Sequence, residues 1–95
     1  MKNSSIKRKI QKTNRFARDI KKLSSEVQEE AYKITVKLSF NIFDPDLRVK
    51  KLIGFDRIYR VVIMKEYRLI FSFDEENIYL LRIGHRKDIY KKIEI

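Results

Sequence analysis

The sequence predicts an α+β fold in which a helical hairpin packs on a small antiparallel β-sheet, in the order β-α-α-β-β-β. Two features of the chain indicate this fold. Apolar residues recur with helical spacing through residues 14–40, and three apolar, β-branched and aromatic segments follow within residues 57–84. Because a helix or a sheet alone leaves an apolar side in water, the helices are expected to cover one face of the sheet. The length of 95 residues predicts a single domain, residues 1–95.

A short strand and a helix are predicted first. Apolar and polar residues alternate in residues 6–12, which is typical of a strand. Either Thr13 or Asn14 can cap the helix that follows. The apolar face of this first helix is formed by Phe16, Ile20 and Leu23.

The second helix is predicted to begin at Ser25, because Ser25 and Gln28 have the spacing of a capping box. Its apolar face is formed by Val27, Ala31, Ile34 and Leu38. The segment FDPD at residues 43–46 is predicted to end it, since Pro45 disfavours helical backbone at the residue before it. The two apolar faces together predict a helical hairpin with a very short connection.

Three strands are predicted in the second half of the chain, at residues 57–64, 67–73 and 78–84. Lys65 and Glu66 separate the first two as a two-residue hairpin loop, and the polar turn DEEN precedes the third. Adjacent strands joined by tight turns predict an antiparallel meander.

The net charge of +10 is the strongest global feature of the sequence. Positive charge is concentrated in residues 1–23 and 48–95, on either side of a mildly acidic middle segment. Such a field attracts polyanions, of which RNA, DNA and anionic membranes are the common cases. The alternative is a solvated surface that only keeps the protein soluble.

Several classes of protein are excluded by what the sequence lacks. Without cysteine there is neither a disulfide nor a thiolate metal site, and we expect a cytoplasmic protein. No apolar stretch approaches the roughly 20 residues of a membrane span, and the basic first residues lack the apolar segment of a secretory signal. No nucleotide-binding glycine motif and no metal-ligand spacing occurs, so neither a cofactor nor a metal is expected.

Long cations interrupt all three C-terminal strands. Arg60, Arg68 and Arg82 each lie within an apolar segment, where a single arginine would be explained by a packed stem and a solvated head. Three on neighbouring strands predict a cationic surface suited to phosphate, because the guanidinium group is a planar, permanently charged fork of donors. The residues proposed to extend this surface are Lys50, Lys51, His85, Arg86 and Lys87. For Lys50 and Lys51 an ordinary solvated pair is an equally good explanation.

Tyr90 follows this basic stretch directly. The neighbouring cations would stabilise its phenolate, which could accept the proton of an RNA 2′-hydroxyl; the ring could instead stack on a base or close the edge of the core. His85 is the only histidine, so it has no histidine partner for a metal site. Its imidazole can transfer protons near neutral pH, although a surface or hydrogen-bonded loop histidine is the more common case.

Four segments of the chain, in this order and spacing, are similar to the RelE/ParE superfamily of toxins from type II toxin–antitoxin systems. These segments are KKLIG, YRVVI, EYRLIF and IGHRKDIY, and the likeness covers roughly residues 14–91. The resemblance implies the same fold order that the residue patterns predict. For the RelE branch it implies a toxin that enters the ribosomal A site and cuts mRNA there. The RNA 2′-hydroxyl then attacks its own phosphate and leaves a 2′,3′-cyclic phosphate.

The resemblance also implies roles for individual residues. Arg68 and Arg86 match arginines that stabilise the phosphate in the transition state, and Tyr90 matches a terminal tyrosine assigned to base chemistry or stacking. Arg60 stands where the RelE branch often has a catalytic lysine. His85 occupies a position where related toxins sometimes use histidine as an acid or base. Val62 departs from the pattern, because the RelE branch has a second basic residue there.

The partners implied are a cognate acidic antitoxin, which would wrap the basic surface with a helix or an added strand, and mRNA on the ribosome. Two alternatives remain open. The ParE branch shares the fold but inhibits DNA gyrase and is not a nuclease, and a degenerate member would only bind antitoxin or RNA. Retention of Arg68, Arg86 and Tyr90 favours the endoribonuclease.

Overall fold

The computed structural model describes residues 7–91, in which two helices cover one face of a five-stranded sheet. The helices are α1 (Asn14–Lys21) and α2 (Ser25–Phe40), and the strands are β1 (Lys9–Lys12), β2 (Lys50–Lys51), β3 (Tyr59–Ile63), β4 (Tyr67–Phe73) and β5 (Asn77–His85). The predicted α+β class, with a helical hairpin packed on a sheet, is confirmed. The short strand β2 is an addition that two lysines alone did not indicate.

The sheet is mixed, with the strand order β1-β5-β4-β3-β2. The predicted antiparallel meander is formed by β3, β4 and β5, and β2 adds to it in the antiparallel sense. β1 lies parallel to β5, with Lys9 opposite Asn77 and Lys12 opposite Leu80. A purely antiparallel sheet was therefore the wrong expectation, because β1 pairs with the strand farthest from it along the chain, and no local pattern reports that direction.

The connection from β1 to α1 is fixed by Thr13. β1 begins at Lys9 rather than earlier, and the predicted residue 6 lies outside the described part of the chain. Thr13 caps α1, because its Oγ1 accepts a hydrogen bond from Phe16 N at 3.1 Å. The same hydroxyl lies 3.1 Å from the carbonyl oxygens of Leu80 and Leu81, which ties the start of α1 to β5.

α2 begins with Ser24 as its cap, one residue before the predicted capping box. Ser24 Oγ accepts from Val27 N at 3.3 Å, and Gln28 Nε2 donates to Leu23 O at 2.9 Å. Gln28 therefore closes the connection between the helices instead of capping Ser25. The helix ends at Phe40, ahead of FDPD, and Pro45 starts a short 3₁₀ turn.

The main hydrophobic core lies between the helices and the sheet. Its buried members are Phe16, Val27, Ala31, Leu38, Ile42, Leu47, Val61, Ile63, Leu69, Phe71, Ile78, Leu80 and Ile83. Ile20, Leu23 and Ile34 pack against it partly buried, which confirms both predicted helix faces. A second, smaller cluster lies on the opposite face of the sheet, where Ile70 meets Ile58 and Ile89.

The β3–β4 turn has three residues rather than the predicted two. Ile63 opposite Tyr67 is the last strand pair, so Met64, Lys65 and Glu66 form the turn. Met64 and Lys65 both adopt left-handed backbone, with φ of 48° and 65°. Glu66 N donates to Met64 O at 2.6 Å, which holds Glu66 in a defined position at the end of the hairpin.

The β4–β5 turn is organised by Asp74. Its Oδ1 accepts from the backbone N–H groups of Glu76 and Asn77, and its Oδ2 accepts from the Tyr79 hydroxyl at 2.8 Å. The Tyr79 bond, followed by the backbone bonds, lowers the pKa of Asp74, and the same carboxylate raises the pKa of Tyr79. Because folding lowers the pKa of Asp74, its contribution to stability is present above the ordinary aspartate pKa and is lost as the pH falls through the lowered one.

A register shift in the β4–β5 pair places Arg82 next to α1. Ile70 faces Arg82 whereas the following residue faces Leu80, so one extra residue of β5 bulges between them. Arg82 Nε lies 2.7 Å from Asp19 Oδ2, and the same oxygen accepts from Ile83 N at 3.1 Å. Asp19 therefore holds the end of α1 against β5.

Asp19→Ala is expected to lower the free energy of unfolding by about 2–3 kcal/mol, because Arg82 and the Ile83 N–H lose a half-buried acceptor. Urea denaturation followed by circular dichroism measures this change. Glu29→Ala removes an exposed carboxylate from α2 and serves as the control, with an effect within about 0.5 kcal/mol. Equal losses in the two variants would contradict the anchoring role of Asp19.

Candidate functional site

Three of the sequence-predicted site residues, Arg68, His85 and Arg86, each contact the β3–β4 turn. Arg68 Nη1 donates to the carbonyl oxygens of Lys65 at 2.8 Å and Tyr67 at 3.0 Å. Arg86 N donates to Glu66 O at 2.8 Å, which continues the β4–β5 pairing by one residue beyond His85. We call Glu66, Arg68, His85 and Arg86 the hairpin-end cluster.

The Glu66 carboxylate lies between two cationic or potentially cationic groups of this cluster. Its Oε1 lies 3.4 Å from His85 Nε2 and 3.4 Å from Arg86 Nε. The side chains of Glu66 and Arg86 are 49% and 51% exposed. The cluster is therefore open to solvent, and a polymer bound on the surface could reach these donors.

The hydrogen bonds of His85 determine which nitrogen carries its proton. His85 Nδ1 accepts from Lys87 N at 3.1 Å, and a backbone N–H can only donate. We assign the proton of the neutral ring to Nε2 on this basis. The ring packs edge-on against Tyr67, with centroids 5.5 Å apart, which fixes its plane. Neutral His85 thus offers a donor, Nε2–H, towards Glu66.

The C-terminal turn, residues 86–91, folds over the sheet face opposite the helices. Asp88 N and Ile89 N both donate to His85 O at 2.9 Å. Ile89 is buried, and a Cβ on Gly84 would lie only 3.3 Å from its Cδ1. Because Gly84 faces Arg68 in the strand register, the turn that carries Tyr90 is held on the same face as Arg68. Tyr90 itself is 43% exposed.

Two further predicted cations lie on this face. Lys50 faces Arg60 across the β2–β3 pair, and Arg60 faces Ile70, two residues from Arg68. Diagonal neighbours in an antiparallel sheet are about 7–8 Å apart, so Arg60 and Arg68 can approach one phosphate group or two adjacent ones. Val62, the departure noted in the sequence, lies directly opposite Arg68.

The remaining predicted cations, Arg82, Lys51 and Lys87, have different contacts from those of Arg60 and Arg68. Arg82 forms an ion pair with Asp19, which offsets its charge, so its role as a phosphate ligand stays a prediction. Lys51 faces Tyr59, whose ring packs against the main core, and therefore lies on the other side of the sheet from Lys50. Lys87 is exposed, and its backbone N–H serves His85.

A groove of about 400 Å³ adjoins the hairpin-end cluster. It lies between the end of α1 and the C-terminal turn, and its lining includes Asp19, Lys22, Tyr67, His85 and Asp88. Leu23, Ile83 and Ile89 also line the groove, so its surface combines charged and apolar groups. Within residues 7–91, no group of three or more histidine and carboxylate side chains has an arrangement that could hold a metal ion.

Sequence reasoning missed Glu66 and Asp19, the two carboxylates that organise the cations. Glu66 was assigned only to a hairpin loop, and Asp19 was given no role. Each contacts residues far away along the chain, so no spacing pattern could report the pairing. An acidic residue at the tip of a hairpin in a strongly basic half of the chain is the one signal that could have pointed to Glu66.

The fold and this cluster can now be compared with known proteins. The sequence profile of the ParE toxin of type II toxin–antitoxin systems, parDE, matches residues 10–90. The chain belongs to this toxin family. The resemblance to the RelE/ParE superfamily, stated from the four sequence segments, is thereby confirmed. No curated protein matches the chain in sequence.

Solved structures of toxin–antitoxin complexes share the fold of this toxin. A chain of the RelB–RelE antitoxin–toxin complex from Methanococcus jannaschii aligns with a TM-score of 0.73 at 22% identity, covering 88% of this chain and 99% of that one. The RelE–RelB complex from Pyrococcus horikoshii OT3 gives 0.71 at 17% identity, covering 86% and 98%. The E. coli DinJ–YafQ complex gives 0.68 at 13% identity, covering 87% and 98%. Likeness at these identities shows the fold.

The neutral imidazole of His85 is expected to carry its proton on Nε2. Long-range ¹H–¹⁵N correlation spectra measure this directly, and the signals need no assignment because the chain has one histidine. A ring protonated on Nδ1 would contradict the Lys87 N–H contact, since two donors would then face each other.

Proposed function

We propose that this toxin is a ribosome-dependent mRNA endoribonuclease in which an RNA 2′-hydroxyl attacks the adjacent phosphate. The observation that carries the proposal is the gathering of Arg68, His85 and Arg86 around one turn, with Tyr90 on the adjoining C-terminal turn. Grouped donors around a phosphate are what phosphoryl transfer requires, because negative charge grows on the phosphate oxygens in the transition state.

Arg68 and Arg86 are proposed to stabilise this charge. A guanidinium group has five N–H donors, and the contacts of Arg68 Nη1 with two carbonyl oxygens leave its other nitrogens to bind phosphate. Those carbonyl contacts also orient the group before RNA binds. Preorganised donors need little rearrangement during the reaction, which is the main source of electrostatic rate enhancement.

His85 and Tyr90 are proposed to have different roles. Neutral His85 offers only a donor, because Nδ1 is occupied by the Lys87 N–H, so it suits a hydrogen bond to a phosphate oxygen better than proton removal. Tyr90 remains as the candidate base. Its phenolate would take the 2′-hydroxyl proton as the new O–P bond forms. The 5′-oxygen then leaves with a proton from water, giving a 2′,3′-cyclic phosphate and a 5′-hydroxyl.

An acidic antitoxin is the proposed protein partner. The structurally similar toxins described above were solved in complex with antitoxins. The net charge of +10 favours a partner of opposite sign and also favours the ribosome, which presents RNA phosphates over most of its surface. Within the described residues, no helix is long and apolar enough to cross a membrane.

Inhibition of DNA gyrase is the second candidate function. It is favoured by the family profile, which is that of the ParE toxin, and by Val62 opposite Arg68, where the RelE branch has a second basic residue. A non-catalytic member that only binds antitoxin or RNA would show neither activity.

Two assays of one preparation, one for mRNA cleavage and one for gyrase supercoiling, distinguish the two functions. We expect the wild-type toxin to cut mRNA in translating ribosomes, with cleavage mapped at the RNA ends, and to leave gyrase supercoiling unchanged. Arg68→Ala is expected to slow cleavage by about 10²–10³, the usual loss for one transition-state donor. Lys33→Ala, which removes an exposed cation from α2 on the other side of the sheet, should retain wild-type cleavage.

Intact mRNA together with blocked supercoiling would contradict nuclease activity and support inhibition of DNA gyrase. Cleavage that is the same in wild-type toxin and Arg68→Ala would remove Arg68 from the mechanism. Circular dichroism of each variant excludes unfolding as the cause of a loss.

Tyr90→Phe is expected to slow single-turnover cleavage by about 10² while changing RNA affinity by less than about twofold, because only the phenolic oxygen is lost. His85→Gln keeps an N–H donor and should lose only about tenfold. Equal losses of rate and affinity in Tyr90→Phe would assign Tyr90 to base stacking. A larger loss in His85→Gln than in Tyr90→Phe would transfer the base role to His85.

A further inference from the structure

Glu66 is the one carboxylate within the hairpin-end cluster. Every other member is a donor that the proposed function directs at phosphate. The Glu66 Oε1 atom lies at the same distance, 3.4 Å, from His85 Nε2 and from Arg86 Nε. A carboxylate oxygen and a phosphate oxygen are both acceptors that arginine binds in the same way, so Glu66 Oε1 occupies a position that a phosphate oxygen can take.

The position of Glu66 is fixed by the backbone on both sides. Its own N–H donates to Met64 O at 2.6 Å, and its carbonyl oxygen accepts from Arg86 N at 2.8 Å. The left-handed conformations of Met64 and Lys65 turn the chain so that this residue faces the end of β5. The carboxylate therefore reaches His85 and Arg86 from a rigid turn, whereas a carboxylate on a loose loop would be free to leave them.

The contact is nevertheless weak enough to be displaced. The side chains of Glu66 and Arg86 are half exposed, and that of His85 is 30% exposed. Ion pairs between such exposed groups contribute little, because water and salt screen them. A polyanion that brings its own phosphate, and that is already attracted by the +10 charge, can compete for the same two donors.

We propose that Glu66 is a positioning residue that occupies the anion-binding position between His85 and Arg86 in the free toxin, and that an RNA phosphate displaces it on binding. The proposal rests on the proposed function, since it takes the phosphodiester of RNA as the ligand. It assigns Glu66 two effects. The carboxylate aims both donors at one point before RNA arrives, and it lowers their affinity for any anion that binds there.

Titration of the free toxin with inorganic phosphate at constant pH tests this inference. The ring proton signals of His85 report binding at the site itself, because the chain has no other histidine. Glu66→Gln keeps the shape of the side chain and removes its charge. We expect it to bind phosphate about fivefold more tightly than the wild type, in keeping with the modest strength of exposed ion pairs.

Two controls test whether the gain in phosphate affinity comes from the position of Glu66. Glu75→Gln makes the same change of charge in the exposed turn at the other end of β4, and should bind phosphate as the wild type does. In a double-mutant cycle, the gain from Glu66→Gln should be clearly smaller when Arg86 is already alanine, because only the His85 donor then remains at the shared position. Loss of structure would weaken binding, so a gain cannot come from damage to the fold.

The inference is overturned by any of three results. These are an affinity of Glu66→Gln within twofold of the wild type, an equal gain in Glu75→Gln, and a gain of undiminished size without Arg86. The titration uses neither ribosomes nor RNA, so its failure would leave the nuclease proposal to the cleavage assay. A toxin that fails to cut mRNA could still bind phosphate about fivefold more tightly as Glu66→Gln. Glu66 would then occupy a binding site for an anion other than RNA.

Discussion

The antiparallel pairing of β4 with β5 is the constraint on which the candidate site depends. Its register sets Arg68 opposite Gly84 and Tyr67 opposite His85. One further backbone bond, from Arg86 N to Glu66 O, extends the pairing to the end of the hairpin. A slip by one residue would send each side chain to the other face of the sheet, so the cluster exists only in this register.

The close contact between Gly84 and Ile89 leaves little room for a side chain at residue 84. Because Gly84 has no side chain, Ile89 can lie directly over the strand and anchor the C-terminal turn on Ile70 and Ile58. The second hydrophobic cluster is small, but it holds the segment that carries Tyr90 on the face where Arg60 and Arg68 lie. The packing of these few apolar side chains thus determines where Tyr90 can lie.

The spacing of apolar residues along the chain was sufficient to predict the two helices and the antiparallel meander. The spacing of Phe16, Ile20 and Leu23 identified the face of α1, and tight turns between apolar segments identified β3, β4 and β5. The direction of β1, the strand β2 and the roles of Asp19 and Glu66 depend on contacts between distant parts of the chain, which composition and periodicity do not encode. For the same reason, three strand arginines looked equivalent in the sequence although Arg82 is paired with Asp19.

The parallel pairing of β1 with β5 has a consequence for how this toxin is made. β1 is among the first described residues, whereas its partner residues, Asn77 to Leu80, come near the end of the chain. Thr13 likewise anchors α1 to Leu80. During synthesis β1 and α1 therefore cannot dock until residues 77–80 have been made, and such non-local pairing forms slowly. The folded form, with β1 and α1 in place, can therefore appear only after Leu80 has been synthesised.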